Sequence, residues 1–457
     1  MSLLVGISAP LFLGSFLWPV IWGIYLLVCR FKAQTILLIG AIFYGFLHQI
    51  PPIPTQEISG IFSPSCLQPH HSPFQKGLLL KGTFSNPSFS VPCSIYLRGE
   101  ERPIANQSYV IQGVLQQRGP FDFVLKAKEW KPLPNSWSLA EMRYQTKERF
   151  RKLLFAKLPS PKVATFLSSL TTGDVEERQL RYEFGRVGLQ HILAISGFHF
   201  GILIAFFAFC LKLFLSRFQR ILTLFILVSA YYIFVGSSPA VERSYLTALF
   251  YLLSQLFNRS TSGLNLLGCA MGVELICNPA TANNIGFQLS FLSCFAILLF
   301  VPPLEKAISF LLPKRNAAEI QSLTLLSKHG YLLSSFFRKA LSLTLAVNLI
   351  LFPLLLFHFH QFPLLGFLYN LFFPFLVGIS LFLLLSSLIF HLLFPPIANL
   401  LYSITNTLSS FLLDLTVNPP LAIDFSIRAA NIPISLVILY LLGLGLWRIS
   451  CTKKEAY

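Results

Sequence analysis

The stretch VGLQHILAISGFHFGIL (187–203) sets His191, Ser196, Gly197 and His199 inside a run apolar enough to enter a membrane. Polar and ionisable groups in hydrocarbon are expensive, so a spanning segment that holds them usually faces a bundle interior or a water path. The Ser196-Gly197 pair also weakens the helix where a small, kinkable backbone is useful. Three chemistries are open to this set: lining a polar path, sitting inertly at an interface, or acting as a His-Ser-His catalyst. The last is the weakest. On a regular helix, residues eight apart diverge by roughly 80°, so His191 and His199 need not converge. No acidic residue is evident to orient either ring, and no catalytic residue or enzymatic activity is assigned.

The surroundings repeat the pattern. SSPAVERS (237–244), NNIGFQLS (283–290) and HFHQF (358–362) each put polar groups at the edge of an apolar run. Arg243 with Glu242 reads either as an interfacial ion pair or as part of a polar vestibule, and Gln288 as a vestibule group or a helix–helix hydrogen bond. Ser290 belongs to the same cluster. His358 and His360 have the alternate spacing of a metal motif but lack the Asp-His that would complete it, so they read as interfacial and no metal site is expected.

The elements that must position these residues follow from composition. Of 457 residues, 54% are hydrophobic and only 12% charged, with a mean hydropathy of +0.66. No ordinary soluble core needs that much apolar sequence, and many runs reach the roughly 20 residues that cross hydrocarbon. The chain is a polytopic α-helical membrane protein. Its N-terminal run lacks a basic leader region and a clear cleavage site, so it reads as an uncleaved span. The net charge of +17, from 35 basic and 18 acidic residues, combines inner-face topogenic cations with a surplus in the polar segment that suits a polyanionic partner.

In chain order, 3–28 and 33–50 read as spans, with Arg30 and Lys32 in the turn between them. The positive-inside tendency puts that turn in the cytoplasm and whatever follows the second span outside. Residues 51–137 are then an exported β domain. GLLLKGTF (77–84), VPCSIYL (91–97), SYVIQGVLQ (108–116) and FDFVLKAKEW (121–130) alternate as strands. A handful of short strands in about 85 residues suits a small barrel of OB type. Lys76, Lys81, Arg98, Arg118, Lys126, Lys128 and Lys131 interleave with Phe84, Tyr96, Phe121, Phe123 and Trp130. Cations tracking a backbone beside stacking aromatics is the chemistry of single-strand binding; the alternative is that the aromatics fill the barrel while the lysines stay solvated.

Residues 138–188 are amphipathic and connector helices. SLAEMRYQTKERFRKLLFAKL (138–158), with Leu139, Met142, Phe150, Leu153 and Leu154 among its apolar positions, suits a membrane surface or a protein neighbour. Residues 189–447 form the transmembrane domain, with apolar runs at 189–215, 219–236, 239–257, 262–277, 281–301, 341–360, 364–394, 397–416 and 431–447, and 448–457 are a cytoplasmic tail. The run 364–394 is one tilted span or a broken pair; counted once, it brings the total to about eleven. Lys212/Arg217/Arg220, Arg259, Lys314/Arg315 and Arg448/Lys453/Lys454 then fall on the inner side, and the polar clusters on the outer side with the β domain. Of eight cysteines, Cys29, Cys210, Cys269, Cys277 and Cys294 lie in or beside apolar runs and Cys451 in the tail. Cys66 and Cys93 share the polar segment, where a disulfide or two free thiols are both open.

Taken together, these segments resemble the ComEC family of competence proteins. LSSLTTGDVEERQLRYEFGRVGLQHILAISGFHFGILI (167–204) carries the likeness most specifically. VGSSPAVERSYLTALFYLLSQLFNRSTSGLNLLG with CNPATANNIGFQLSF (277–291), and NLILFPLLLFHFHQFPLLGFLYNLFFP (348–374), follow in the family's order. The resemblance implies an inner-membrane channel that carries one strand of transforming DNA into the cytoplasm, with the exported OB-like segment on the periplasmic side handling DNA. It carries Asp174, Gly188, His191, Ser196, Gly197, His199, Arg243, Gln288 and Ser290 over as channel positions. A Cys66–Cys93 bond looks like the disulfide of some members.

Lys76, Lys81, Arg98, Arg118, Phe121, Lys126 and Lys128 are the expected DNA contacts on the β domain. Partners implied are single-stranded DNA, the lipid bilayer, competence proteins that deliver DNA on the outer side and a separate cytoplasmic ATPase or helicase, since the chain has no G-x-x-x-x-G-K-[ST] loop; a homo-oligomer is left open. No cofactor is implied. Longer family members end in a metallo-β-lactamase-like domain; this chain stops soon after its last span and has no H-x-H-x-D-H motif, so nuclease activity is expected to be absent or supplied by another protein. Phe198 and Phe200 replace smaller aliphatics common there, a bulk that narrows a path. A small-molecule permease is the alternative function, and it leaves the β domain without a role.

Overall fold

A computed structural model describes residues 57–71, 76–98, 104–119, 122–175, 177–420, 424–428 and 432–455. The expected spans at 3–28 and 33–50, and Phe121, lie outside the described residues. The chain forms two compact units, one of the residues up to Arg178 with Ile195–Gln288, the other of Gln179–Ala194 with Leu289–Tyr457.

The first unit begins with a β-barrel. Strands β1 (Ile58–His71), β2 (Lys76–Ser85), β3 (Ser90–Arg98), β4 (Tyr109–Gly119) and β5 (Asp122–Pro132) close in the order β1-β2-β3-β5-β4. All pairings are antiparallel except β3 with β5. Alternation explains the closure: Leu80, Gly82 and Phe84 face in while Lys81 and Thr83 face out. Phe62, Phe84, Val91, Ile95, Ile111, Phe123 and Leu125 fill the interior, so no apolar face is left open. Bulges in β1 between Pro64 and Cys66, and in the β4/β5 ladder at Gln112/Gly113, bend the strands as a small barrel requires.

Helix α1 (Ala140–Lys157) follows, then α2 (Pro161–Thr172), which Ser160 and Pro161 start and Gly173 stops. Gly173 holds φ +77°, the left-handed C-cap that glycine adopts without penalty. Of the two partners open to α1, the protein neighbour is the one found. The helix packs on β1, and its buried positions are Ala140, Glu141, Lys147 and Leu154, whereas Met142 is half exposed. Polar Glu141 and Lys147 share the protein-facing side with apolar Ala140 and Leu154.

After α3 (Arg178–Arg186) and the single-turn α4 (Gln190–Leu193), which belong to the second unit from Gln179, the first unit resumes as a bundle of α5 (Gly197–Leu211), α6 (Arg217–Val235), α7 (Pro239–Leu256) and α8 (Gly263–Cys277). The apolar run 189–215 is therefore broken at Ala194–Ser196. A capping box of Ser216 and Gln219 starts α6, and Ser262 caps α8. Phe200, Leu224, Val228, Val241 and Leu252 form its core.

A 3₁₀ turn (Pro279–Asn283) leads to α9 (Ile285–Ile308). In the second unit come α10 (Ala317–Gln321), the long α11 (Leu325–Phe359), β6 (Gln361–Pro363), α12 (Leu365–Tyr369), α13 (Phe373–Leu393), α14 (Pro395–Val417), β7 (Ser426–Arg428) and α15 (Ile434–Glu455). Ala296 and Phe300 of α9 pack with Ala346 and Ile350 of α11. The run 364–394 is thus one short helix followed by one long one.

Among the described residues, α6, α9, α11 and α13 are long and apolar enough to cross a membrane, and α5, α8 and residues 434–445 are shorter apolar helices. The expected count of about eleven includes the runs at 3–28 and 33–50, which lie outside the described residues. Helices α5 and α8, of 15 residues each, fall below the roughly 20 residues that hydrocarbon needs.

Candidate functional site

Two polar centres lie in the first unit. The first is Asp174, placed by the Gly173 cap at the end of α2. Its Oδ2 accepts from Lys147 Nζ at 3.0 Å and its Oδ1 from Gln68 Nε2 at 2.9 Å. Lys147 comes from α1 and Gln68 from β1, so one carboxylate joins barrel, connector and helix end. Arg143 adds a second tie between barrel and bundle: Nε donates to the Ile233 carbonyl at 2.6 Å and Nη1 to the Ser65 carbonyl at 2.5 Å.

The second centre is at the start of α5. Ser196 is its N-cap, in extended conformation. His199 reaches back so that its Nδ1 accepts from the Ser196 N–H at 3.3 Å. An accepting Nδ1 leaves the proton of a neutral imidazole on Nε2. His199 is buried, and Nε2 has no hydrogen-bond partner among the described residues. Gly197 opens the first turn toward α7: a Cβ on it would stand 3.3 Å from Arg243 Nη2 and 3.6 Å from Ser244 Oγ. Arg243 is buried and donates from Nη2 to Ser244 Oγ at 3.2 Å. A cation therefore sits against the positive end of a helix dipole, an arrangement that favours an anion between them.

Ser196, Gly197 and His199 thus share the start of α5, with Arg243 against Gly197. Gln288 lies nearby in the chain's order but serves its own helix start, donating from Nε2 to the Ala282 carbonyl at 2.9 Å. Gly286, two residues earlier, lies toward Pro239 at the head of α7. The clusters 196–199, 237–244 and 283–288 therefore share one end of this bundle, the end where α6 meets α1. The basic turns lie at the other end, where Arg217 Nη2 donates to the Gln255 carbonyl at 3.3 Å. Phe200 is buried edge-on against Tyr231 at 5.1 Å, so it belongs to the core, while Phe198 is exposed.

The second unit holds Gly188, His191 and Ser290. Gly188 takes φ +77°, and a Cβ there would meet the Gly366 Cα at 3.0 Å. The imidazole of His191 is hydrogen-bonded to the Gly188 backbone. Ser290 contributes its carbonyl to Ser293 Oγ. The HFHQF stretch is the end of α11, with His360 as a left-handed C-cap at φ 54°.

On the barrel, Lys81 and Lys126 are exposed, and Lys128 pairs with Glu57. Lys76, Arg98 and Arg118 lie on β2, β3 and β4, their side chains outside the described residues. The interleaved aromatics divide: Phe84 and Phe123 are core, and Trp130 packs edge-on against Phe62 and Tyr109. Tyr96 alone of the described ones is exposed.

Cys66 and Cys93 are free thiols, which corrects the disulfide that the resemblance implied. Cys66 stands opposite Lys81, on the outward face of β2, and Cys93 opposite Gly82, on the inward face. The barrel wall separates them. Burial pushes the Cys93 thiol up to about 12. Burial also raises Cys66, which Lys147 partly offsets.

Sequence reasoning missed Lys147, Gln68 and Glu274. Glu274, on α8, is buried, and neither carboxylate oxygen has a hydrogen-bond partner among the described residues. An acid inside an apolar run is itself a signal of function, and would have found it.

A family model described as Competence protein matches residues 170–453. Over 210 residues the chain is 27% identical to ComE operon protein 3 of Bacillus subtilis, covering 45% of this chain and 24% of that protein. Over 176 residues it is 31% identical to Uncharacterized protein MG316 of Mycoplasma genitalium, covering 38% of this chain and 44% of that one. The matched stretches span less than half the length of either relative. No solved structure matches the chain.

Proposed function

The chain belongs to the competence protein family, and from that premise we propose that it is an inner-membrane channel that moves single-stranded transforming DNA into the cytoplasm. The observation that carries the reading is the unpartnered Nε2 of His199 close in sequence to Gly197, where Arg243 meets the N-terminus of α5. A phosphodiester oxygen is the acceptor such a site lacks: it takes an N–H hydrogen bond, a guanidinium contact and the helix dipole at once. One cation with neutral donors passes a polyanion along, where a dense basic lining would hold it.

The barrel is OB-like in this reading. Its strand order and its parallel β3/β5 pair support the assignment. On the periplasmic side, its exposed Lys81 and Lys126 meet phosphates by charge, beside the exposed ring of Tyr96. Competence proteins deliver the strand outside, and a cytoplasmic ATPase or helicase pulls it.

The decisive experiment is uptake of labelled transforming DNA in a strain deleted for this gene and complemented with it. Loss of internalised DNA, with DNA still reaching the outer compartment, establishes the role; unchanged uptake moves the function to a small-molecule permease.

A further inference from the structure

We propose that Glu274 is a proton-binding site, and that proton uptake there accompanies anion binding at Arg243. The second clause rests on the function proposed above; the first does not. Glu274 sits on α8 among buried side chains, and neither carboxylate oxygen finds a donor among the described residues. A buried carboxylate without donors is unstable as an anion unless a cation stands near. The charged groups that face it are Glu242 and Arg243, both from α7, and Tyr232 of α6 lies in the same field. Arg243 is the compensating cation, and Glu242, which accepts from Ser237 Oγ, is the opposing anion.

The ligand is a proton rather than a metal ion. A calcium or magnesium ion asks for six or more oxygen ligands, and no group of three or more His, Cys, Asp or Glu side chains is gathered among the described residues. One proton needs one oxygen. It enters from water onto Oε1 or Oε2, turns the carboxylate into a neutral carboxyl, and leaves by the same bond with no electron transferred.

Coupling follows from Coulomb's law. A phosphate drawn to Arg243 cancels the positive field that favours the ionised form of Glu274, so binding the anion raises the carboxyl's affinity for a proton. Linkage makes this reciprocal: protonating Glu274 frees Arg243 for the anion.

The test uses the full chain purified in detergent. Infrared difference spectra between acid and alkaline buffer are expected to show a carboxyl C=O band that titrates in the wild type and is missing in Glu274→Gln, a variant shaped like the protonated form and so expected to fold. A wild-type spectrum from which Glu274→Gln removes no titrating band overturns the site. The coupling is read by adding oligothymidylate in weak buffer. In buffer on the alkaline side of that infrared transition, about one proton should be taken up per chain on saturation, and none in Glu274→Gln. Binding without uptake overturns the coupling. If oligothymidylate does not bind, the channel reading and the coupling fall together, while the infrared result still decides the site.

Discussion

Lys147 Nζ lies 3.0 Å from Asp174 Oδ2, with both side chains almost wholly out of solvent and Gln68 holding the other carboxylate oxygen. The pair locks the connector helix to the end of α2 and, through Gln68, to the barrel. Removing one partner strands a buried charge, which typically costs about 3–5 kcal/mol. Asp174→Ala and Lys147→Ala should each lower the apparent unfolding temperature of the purified protein. Replacing both, as Lys147→Met with Asp174→Leu, should recover most of the loss. Single variants that unfold like the wild type would show that the pair carries no such weight.

Gly188 and Gly366 meet backbone to backbone. Gly188 holds φ +77°, and a Cβ on either residue would stand about 3 Å from the other's Cα. Gly188→Ala therefore adds a strained backbone to a steric clash, a cost of order 1–3 kcal/mol from the strain alone. Gly366→Ala meets only the clash and should be milder. Paired thermal unfolding curves check the order, and equal effects would remove the backbone strain from the account.

The thiols make a pH-dependent prediction. Cys93 is held near 12 by burial in the barrel, so below that pH it stays a thiol in the fold and reacts slowly with maleimide. Unfolding returns it to an ordinary thiol, and labelling at mildly alkaline pH should become fast. Both Cys66 and Cys93 should label after unfolding without reductant. Mass spectrometry that finds them blocked would restore the disulfide.

Lys81 and Lys126 project from the outward face of the barrel. If they contact phosphates of single-stranded DNA, each Ala variant should weaken oligothymidylate binding and flatten the plot of log affinity against log salt by about 0.7. The loss should be the same for every base sequence. A weakened affinity with an unchanged salt slope would move the lysines out of the interface.

The barrel was legible because its strands alternate strictly: inward Leu80 and Phe84 against outward Lys81 and Thr83 leave one way to close. The Ser196–His199 turn was legible because polar residues in hydrocarbon need a reason. Less legible was the buried side of α1. Its apolar positions suggest an apolar face, but the groups it buries include Glu141 and Lys147, whose partners Ala105 and Asp174 lie far away in sequence. Tertiary partners decide such burial, and no local period announces them. The Cys66–Cys93 relation failed for a related reason: sharing a polar segment says nothing about which side of a barrel wall each thiol faces. Span lengths were less legible, because apolar runs such as 189–215 and 262–277 fold into helices of only 15 residues.

His199 gives the last prediction its shape. Its Nδ1 is committed to the Ser196 backbone, so the ring is fixed and its Nε2–H points where no acceptor stands among the described residues. Arg243, held against Gly197, supplies a charge at the start of the same helix. If these groups hand a DNA strand through the membrane, His199→Ala and Arg243→Ala should each cut internalised DNA by more than about tenfold, corresponding to about 1.4 kcal/mol or more. Both variants should still reach the membrane fraction in normal amount. Arg243→Lys keeps the charge but loses the planar fork that matches a phosphate, so it should recover only part of the uptake. His199→Gln is informative for the opposite reason: its amide can donate where Nε2 donates, and partial uptake there with none in His199→Ala would assign the ring a hydrogen-bonding role. Full uptake in both alanine variants, with normal insertion, would take this site out of the transport path.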